Sequence, residues 1–204
     1  PARAKVTLPG PFTFAGLLDN RSGETREALT HRLGRLLSEE VRELGRAGYR
    51  TFQFQEPLLV TEAPEGPRAE AALAAYRPIA EAAAGATTVL WTFFGDAAAV
   101  APLLARFPVD VVGIDLSETD PADVPGPIGR GGLGLGCIDP RTTLAEDPEA
   151  VARIARELGT RRPSGSLWLG AGAPLDLLPP GPAARKLELL PRARRLLASG
   201  GGPA

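Results

Sequence analysis

Residues 51 to 60 read TFQFQEPLLV. Phe52 and Phe54 alternate with Gln53 and Gln55, the period of two that a strand imposes. The run then meets Glu56 and Pro57, and proline has no N–H to give to a strand ladder, so the strand stops there. An acid at such an end has two readings. It is a solvated or helix-capping carboxylate, or it stands at the carboxyl edge of a parallel sheet, where α/β proteins place their chemistry. With the phenylalanines packed on helices, Gln53 and Gln55 turn inward and Glu56 sits at the rim.

Outward from this stretch the punctuation is β-α-β-α. Short segments rich in Val, Ile, Leu, Phe and Thr predict strands at 4–10, 50–56, 87–93, 109–115, 133–139 and 166–172. Segments with helical spacing predict helices at 24–47, 68–84, 97–106, 148–159 and 180–198, the last kinked or divided by Pro191. In the first of these, Leu29, Leu33, Leu36, Leu37, Val41 and Leu44 form one stripe and Gly48 supplies the stop. The Pro- and Gly-rich segment 117–131 has room for a short helix or none, and 199–204 reads as a disordered tail.

Six such units fit either a doubly wound sheet or a barrel. A (βα)8 barrel of the TIM type typically needs about 250 residues, and this chain has 204. The expectation is one barrel domain over 1–198, incomplete at its N-terminus, with about six βα units present and the first two missing or outside the chain. A preceding segment or a second subunit then completes it. The chain opens on Pro1 and has no methionine, the mark of a processed start or a piece of something longer.

Composition excludes several functions. Hydrophobic residues make up 44% and charged residues 23%, an ordinary globular mix, and a net charge of −1 offers no field for a phosphate backbone, so nucleic acid is not the expected partner. No apolar run reaches the ~18 residues of a membrane span. The single cysteine, Cys137, allows no internal disulfide and suits a reducing compartment, hence a cytoplasmic protein; the partner left to expect is a small-molecule substrate at the strand ends. Zinc needs three or four converging Cys, His or carboxylate ligands; one thiol and His31, inside a helix near Arg32 and Arg35, do not supply them. GRGGLG at 129–134 has dinucleotide-loop spacing but precedes a strand rather than opening a helix.

Strand ends are where a barrel meets its substrate. Here they carry Gln55 and Glu56, then Thr92 to Asp96, Asp115, Asp139 with Arg141, and Gly170 to Pro174. Val109, Val111, Gly113 and Asp115 share a face, with the small Gly113 suited to a crowded interior and Asp115 at its mouth. Glu56, Asp115 and Asp139 are therefore expected to converge on one cavity, with the capping reading open for each.

Taken in order, these phrases resemble cobalamin-independent methionine synthase. LPGPFTF is similar to the family's Gly-Pro-x-Thr strand, FQFQEPLLV to its Q-I-D-E-P-x-L strand, WTFFGD to T-Y-F-G, VVGIDL to the strand that follows, LGCIDPRTTLAED to G-x-V-D-G-R-N-x-W, and PAARKLELL to the A-x-K-L-x-E-L helix. The likeness covers about residues 5 to 196, is nearest the zinc-less amino-terminal barrel or a short single-barrel relative, and starts at about the family's third strand.

The resemblance implies a (βα)8 barrel transferring methyl from a methyltetrahydrofolate-type donor to homocysteine. Glu56 and Asp115 are then the catalytic candidates, and Gln55, Thr92, Asp139 and Arg141 the substrate-binding ones. The family's zinc is expected, yet its ligand positions fall near Trp91, Phe93, Asp115 and Ala173, where only a carboxylate remains. Two alternatives stay open: a folate-binding or structural barrel that has lost the zinc site, and a lyase or decarboxylase using Asp115 or Asp139 as an acid.

Overall fold

The computed structural model describes residues 3–124, 128, 130–161 and 165–199. The strands are β1 (Val6–Pro9), β2 (Thr51–Gln55), β3 (Thr87–Trp91), β4 (Val111–Asp115), β5 (Gly132–Ile138) and β6 (Leu167–Ala171). After β1 come α1 (Pro11–Leu17) and α2 (Arg26–Arg46). After β2 come α3 (Pro57–Glu62) and α4 (Gly66–Ala82). The short α5 (Ala101–Leu104) follows β3, α6 (Pro148–Thr160) follows β5, and α7 (Pro180–Leu187) and α8 (Leu189–Ser199) follow β6.

All six strands are parallel, and each pairs with the next in chain order. That order settles the choice left open by counting. A doubly wound sheet reverses its winding at a switch point, whereas a barrel winds in one direction throughout. Among the described residues β1 pairs only with β2 and β6 only with β5, so each has an open edge.

The two sheet faces are packed differently. Phe52, Phe54, Leu90, Val112, Ile114, Leu133 and Leu135 point to the helices and share a core with Leu37, Val41, Leu73, Tyr76 and Ile79. Burial of each large apolar side chain is worth about 1.5–3 kcal/mol. The opposite face carries a small separate cluster of Val89, Trp91, Phe93, Val111 and Ala173, with Trp168 half-buried against it. Its neighbours are glycines. A Cβ on Gly113 would fall 2.1 Å from the Trp91 ring, on Gly134 2.5 Å and on Gly170 3.1 Å, so the indole lies flat across strands whose inner positions have no side chain.

Local chemistry explains the helices. Thr25 caps α2 by accepting from the Ala28 N–H at 3.2 Å, and Gly48, at φ +97°, turns the chain after its end. Gly34 of α2 lies against the Ala75 carbonyl of α4, which lets the two helices pack closely. The division of the final helix falls at Glu188, and Pro191 sits in the first turn of α8, where its missing N–H costs nothing. Two short helices have no counterpart in the sequence expectations: α1 and α3, both opened by the proline of a strand-end phrase. The described part of 117–131 forms turns without a helix. Of the expected tail, Ser199 ends α8 and the rest lies outside the described residues, as does Gly129 of GRGGLG.

Candidate functional site

Glu56 follows β2 and is sealed from solvent. Its side chain does not cap α3, the helix it precedes. It crosses to α1 instead, where one carboxylate oxygen accepts from the Thr13 N–H at 2.7 Å and the other from the Phe12 N–H at 3.1 Å and the Tyr76 hydroxyl at 3.1 Å. Gly10, the residue at the start of α1, has no side chain with which to cap it, and a Cβ there would overlap the Glu56 carboxyl. A carboxylate 44 residues away thus satisfies two orphan amides of that first turn. Burial raises its pKa to about 7, against the opposing pull of the Thr13, Phe12 and Tyr76 hydrogen bonds.

Asp115, the last residue of β4, is buried beside Gly172, where any Cβ would overlap its carboxylate. One oxygen accepts from the Ser117 N–H at 3.0 Å, and the other from both terminal nitrogens of Arg141 at 3.1 Å. Burial pushes its pKa up, and the Ser117 amide, the Arg141 charge and the Phe94 amide act against that. Arg141 also meets Glu118 at 2.9 Å and Asp139 through its Nε at 3.4 Å, while its backbone N–H donates to Asp139 at 3.0 Å. One guanidinium therefore gathers three carboxylates at the mouth.

Phe94 completes this rim. Its ring lies 5.9 Å from the Arg141 guanidinium and is 44% exposed, and its backbone is left-handed at φ +68°. A bulky residue held there is strained, and such strain gathers at ligand sites. Behind the rim, Lys186 of α7 is buried and donates to Glu146 at 2.6 Å and to the Asp139 carbonyl at 3.0 Å, while Glu146 also accepts the Asp139 N–H. This anchors the loop that carries Asp139 and Arg141.

Below the rim, a cavity of about 330 Å³ is bounded by Lys5, Gln53, Gln55, Trp91 and Phe93 and, at the open edge of β6, by Leu169, Leu187 and Leu190. Thr92 is buried and donates its hydroxyl to the Gly113 carbonyl at 3.0 Å. So the structure brings Asp115, Asp139 and Arg141 together, opens Gln55 to the adjacent cavity, and keeps Glu56 and Thr92 bonded within the scaffold. Sequence reasoning missed Glu118, Lys5 and Lys186, and held Phe94 only as part of the strand-end run Thr92 to Asp96. One signal was available for Trp91: glycine at alternate positions 132, 134 and 136, repeated at 170 and 172, leaves room for a large side chain from a neighbouring strand.

Zinc does not fit the residues at the matching positions. Trp91, Phe93 and Ala173 offer no ligand atom and form one apolar cluster, and Asp115 is engaged by Arg141 and Ser117. Among the described residues no three His, Cys, Asp or Glu side chains are placed so that they could hold a metal ion together. Nor is any described helix long and apolar enough to cross a membrane.

A parallel sheet wound in one direction, with its polar groups at the carboxyl ends of the strands, defines a protein of the barrel class. The chain belongs to the cobalamin-independent synthase family: residues 2–162 match the family described as "Cobalamin-independent synthase, N-terminal domain". A 5-methyltetrahydropteroyltriglutamate–homocysteine methyltransferase from Mycobacterium tuberculosis H37Rv is 34% identical over 165 residues, 77% of this chain and 21% of the relative. A methionine synthase from Saccharolobus solfataricus is 28% identical over 179 residues, 85% of this chain and 52% of the relative. The chain thus spans from a fifth to about half the length of these relatives. In fold it is similar to a B12-independent methionine synthase from Shewanella sp. W3-18-1, with a TM-score of 0.80 at 20% identity over 96% of this chain and 62% of the other.

Proposed function

We propose that the chain is a methionine synthase-type barrel that binds a small molecule at its mouth and does not itself activate a thiol. The observation that carries this is the Trp91, Phe93 and Ala173 cluster, apolar side chains where the resemblance calls for metal ligands. A free thiol with a pKa of ~8.5 is only a few per cent ionised at neutral pH unless a metal or cation lowers it. The rim offers Asp115, Glu118 and Asp139, which push that pKa upward, and its one guanidinium is already shared among them.

Methyl transfer from a methylated folate to homocysteine, the activity for which the methyltransferase relatives are named, then requires zinc ligands from outside this chain. Within it, Asp115, Asp139, Arg141 and Gln55 contact the amino or pterin groups of such a ligand, whereas Glu56 and Thr92 hold the backbone that presents them. Two further strands between β6 and β1 close the barrel; the open edges of those strands support this. The test is metal content of the purified chain together with calorimetric titration by methyltetrahydrofolate and by homocysteine. Folate binding without zinc and without methionine formation is the expected result. One equivalent of zinc together with turnover would overturn it.

A further inference from the structure

Lys186 of α7 is withdrawn from water, its side chain only 1% exposed. Its ammonium donates to Glu146 at 2.6 Å and to the Asp139 carbonyl at 3.0 Å, across 40 and 47 residues of sequence. The Glu146 oxygen that takes the ammonium also accepts the Asp139 N–H at 2.9 Å. Both backbone groups of Asp139 are thus held by one ion pair, and the loop from Asp139 to Glu146 is closed end to end.

That loop has little else to hold it. None of residues 141–147 is buried, Leu144 is 76% exposed, and none lies in a helix or strand. Ordering a backbone costs about 1–2 kcal/mol per residue, and here no buried apolar side chain offsets it. The loop's other internal bonds, Arg141 N–H to Asp139 at 3.0 Å and Leu144 N–H to Thr142 at 3.2 Å, each span two or fewer residues beyond their own, so they turn the chain without placing it. Among the described residues, the side-chain hydrogen bonds that tie the loop to the rest of the fold are those of Lys186 at its ends and those of Arg141 to Asp115 and Glu118 at the mouth. A buried ion pair is weak evidence for stability, because desolvation of both charges can cancel their attraction; a fixed geometry is what it supplies.

We infer that Lys186, with Glu146, is a positioning residue for the mouth: the pair fixes the loop so that Arg141 stands against Asp115, and a ligand there meets a charge set by a lysine it never touches. The inference rests on the mouth being a binding site, yet the placing of Arg141 can be read without any ligand. The charges acting on the Asp115 carboxylate are those of Arg141, which favours ionisation, and Glu118, which opposes it. Loss of Lys186 therefore reaches Asp115 through the position of the guanidinium.

The test follows the Asp115 carboxylate by carbon NMR in the full chain carrying 13Cγ-labelled aspartate. A cation in contact moves a carboxylate pKa by ~1–3 pH units, so Lys186→Met is expected to raise the Asp115 midpoint by about 1 unit or more. In an Arg141→Ala background the same change should add nothing, since the group it acts through is gone. Lys186→Met combined with Glu146→Gln leaves no buried charge without its partner and keeps an acceptor for the Asp139 N–H; it should raise the midpoint as well, and it carries the test if Lys186→Met alone loses its native circular dichroism. Methyltetrahydrofolate should bind the folded variant about tenfold or more weakly than the parent. An unmoved Asp115 midpoint, a shift that adds in full to that of Arg141→Ala, undiminished methyltetrahydrofolate affinity, or loss of the fold in both variants would each overturn the assignment. If Asp115 responds as expected while the parent binds no methyltetrahydrofolate, the positioning stands and the reading of the mouth fails.

Discussion

Trp91 donates its indole N–H to the carbonyl of Gly172 at 3.0 Å, a hydrogen bond that spans 81 residues of sequence and ties the end of β3 to the turn after β6. The ring between them rests on Gly113, Gly134 and Gly170. One side chain thus holds four strands in relation, fills the place at which metal ligands would be needed, and walls the cavity beside Lys5.

Gly113→Ala tests that packing. Its new Cβ would stand 2.1 Å from the indole of Trp91, so either the ring or β4 must move. The expected cost is about 1–3 kcal/mol, measured by urea denaturation, with a shifted tryptophan emission. Unchanged stability and emission would mean that the indole does not rest on this strand.

Glu56 sets a pH dependence whose sign is unusual for a carboxylate. Its folded pKa of about 7 lies above the ordinary 4.5, so the native state holds a proton that the unfolded chain releases across that window. Stability contributed by this group is complete below pH 4.5, falls as pH rises toward 7, and is flat above. The span is up to ~3 kcal/mol. Subtracting the stability profile of Glu56→Gln from that of the parent, between pH 5 and 8, should expose this downward slope. A difference that rises with pH would refute it.

Gly10→Ala attacks the same joint from the other side, since its Cβ would occupy the space of the Glu56 carboxyl. Loss of the carboxylate from the first turn of α1 leaves the Phe12 and Thr13 amides without their acceptor, at ~1–3 kcal/mol for an unsatisfied buried group. Hydrogen exchange at Phe12 and Thr13 should accelerate relative to amides of α2.

Arg141→Ala leaves the buried Asp115 without its cation. The Arg141 side chain is 30% exposed, which screens the pair, so the expected loss is about 1–2 kcal/mol rather than the ~3–5 of a sealed pair. The Asp115 pKa, already raised by burial, should climb further, and binding at the mouth should weaken. Carboxylate carbon NMR shifts followed against pH report the first effect; retention of ligand affinity would remove Arg141 from the proposed site.

Cys137 faces the Gly170 carbonyl at 3.6 Å, and burial pushes its thiol up to about 11. At pH 8 a thiol reagent should label the native protein far more slowly than the urea-unfolded chain. Equal rates would show the strand to be open.

The strands and the longer helices follow from one-dimensional signals, because alternation and the 3.6-residue stripe are local properties of backbone geometry; the winding does not, since six βα units fit two windings and only the strand order separates them. Phe52 and Phe54 against Gln53 and Gln55 predict both faces of β2, and the structure buries the first pair in the helical core and turns the second toward the cavity. The meaning of a strand-end acid is not local. Glu56 and Asp115 look alike in sequence, each standing at the end of a strand, yet one satisfies amides of α1 and the other joins Arg141 at the mouth. What separates them is which group from a distant element arrives beside the carboxylate, the α1 amides in one case and a guanidinium from the loop after β5 in the other. Contacts across 26 to 81 residues depend on how the sheet curls and where its glycines let a ring lie down, and only the folded chain sets both.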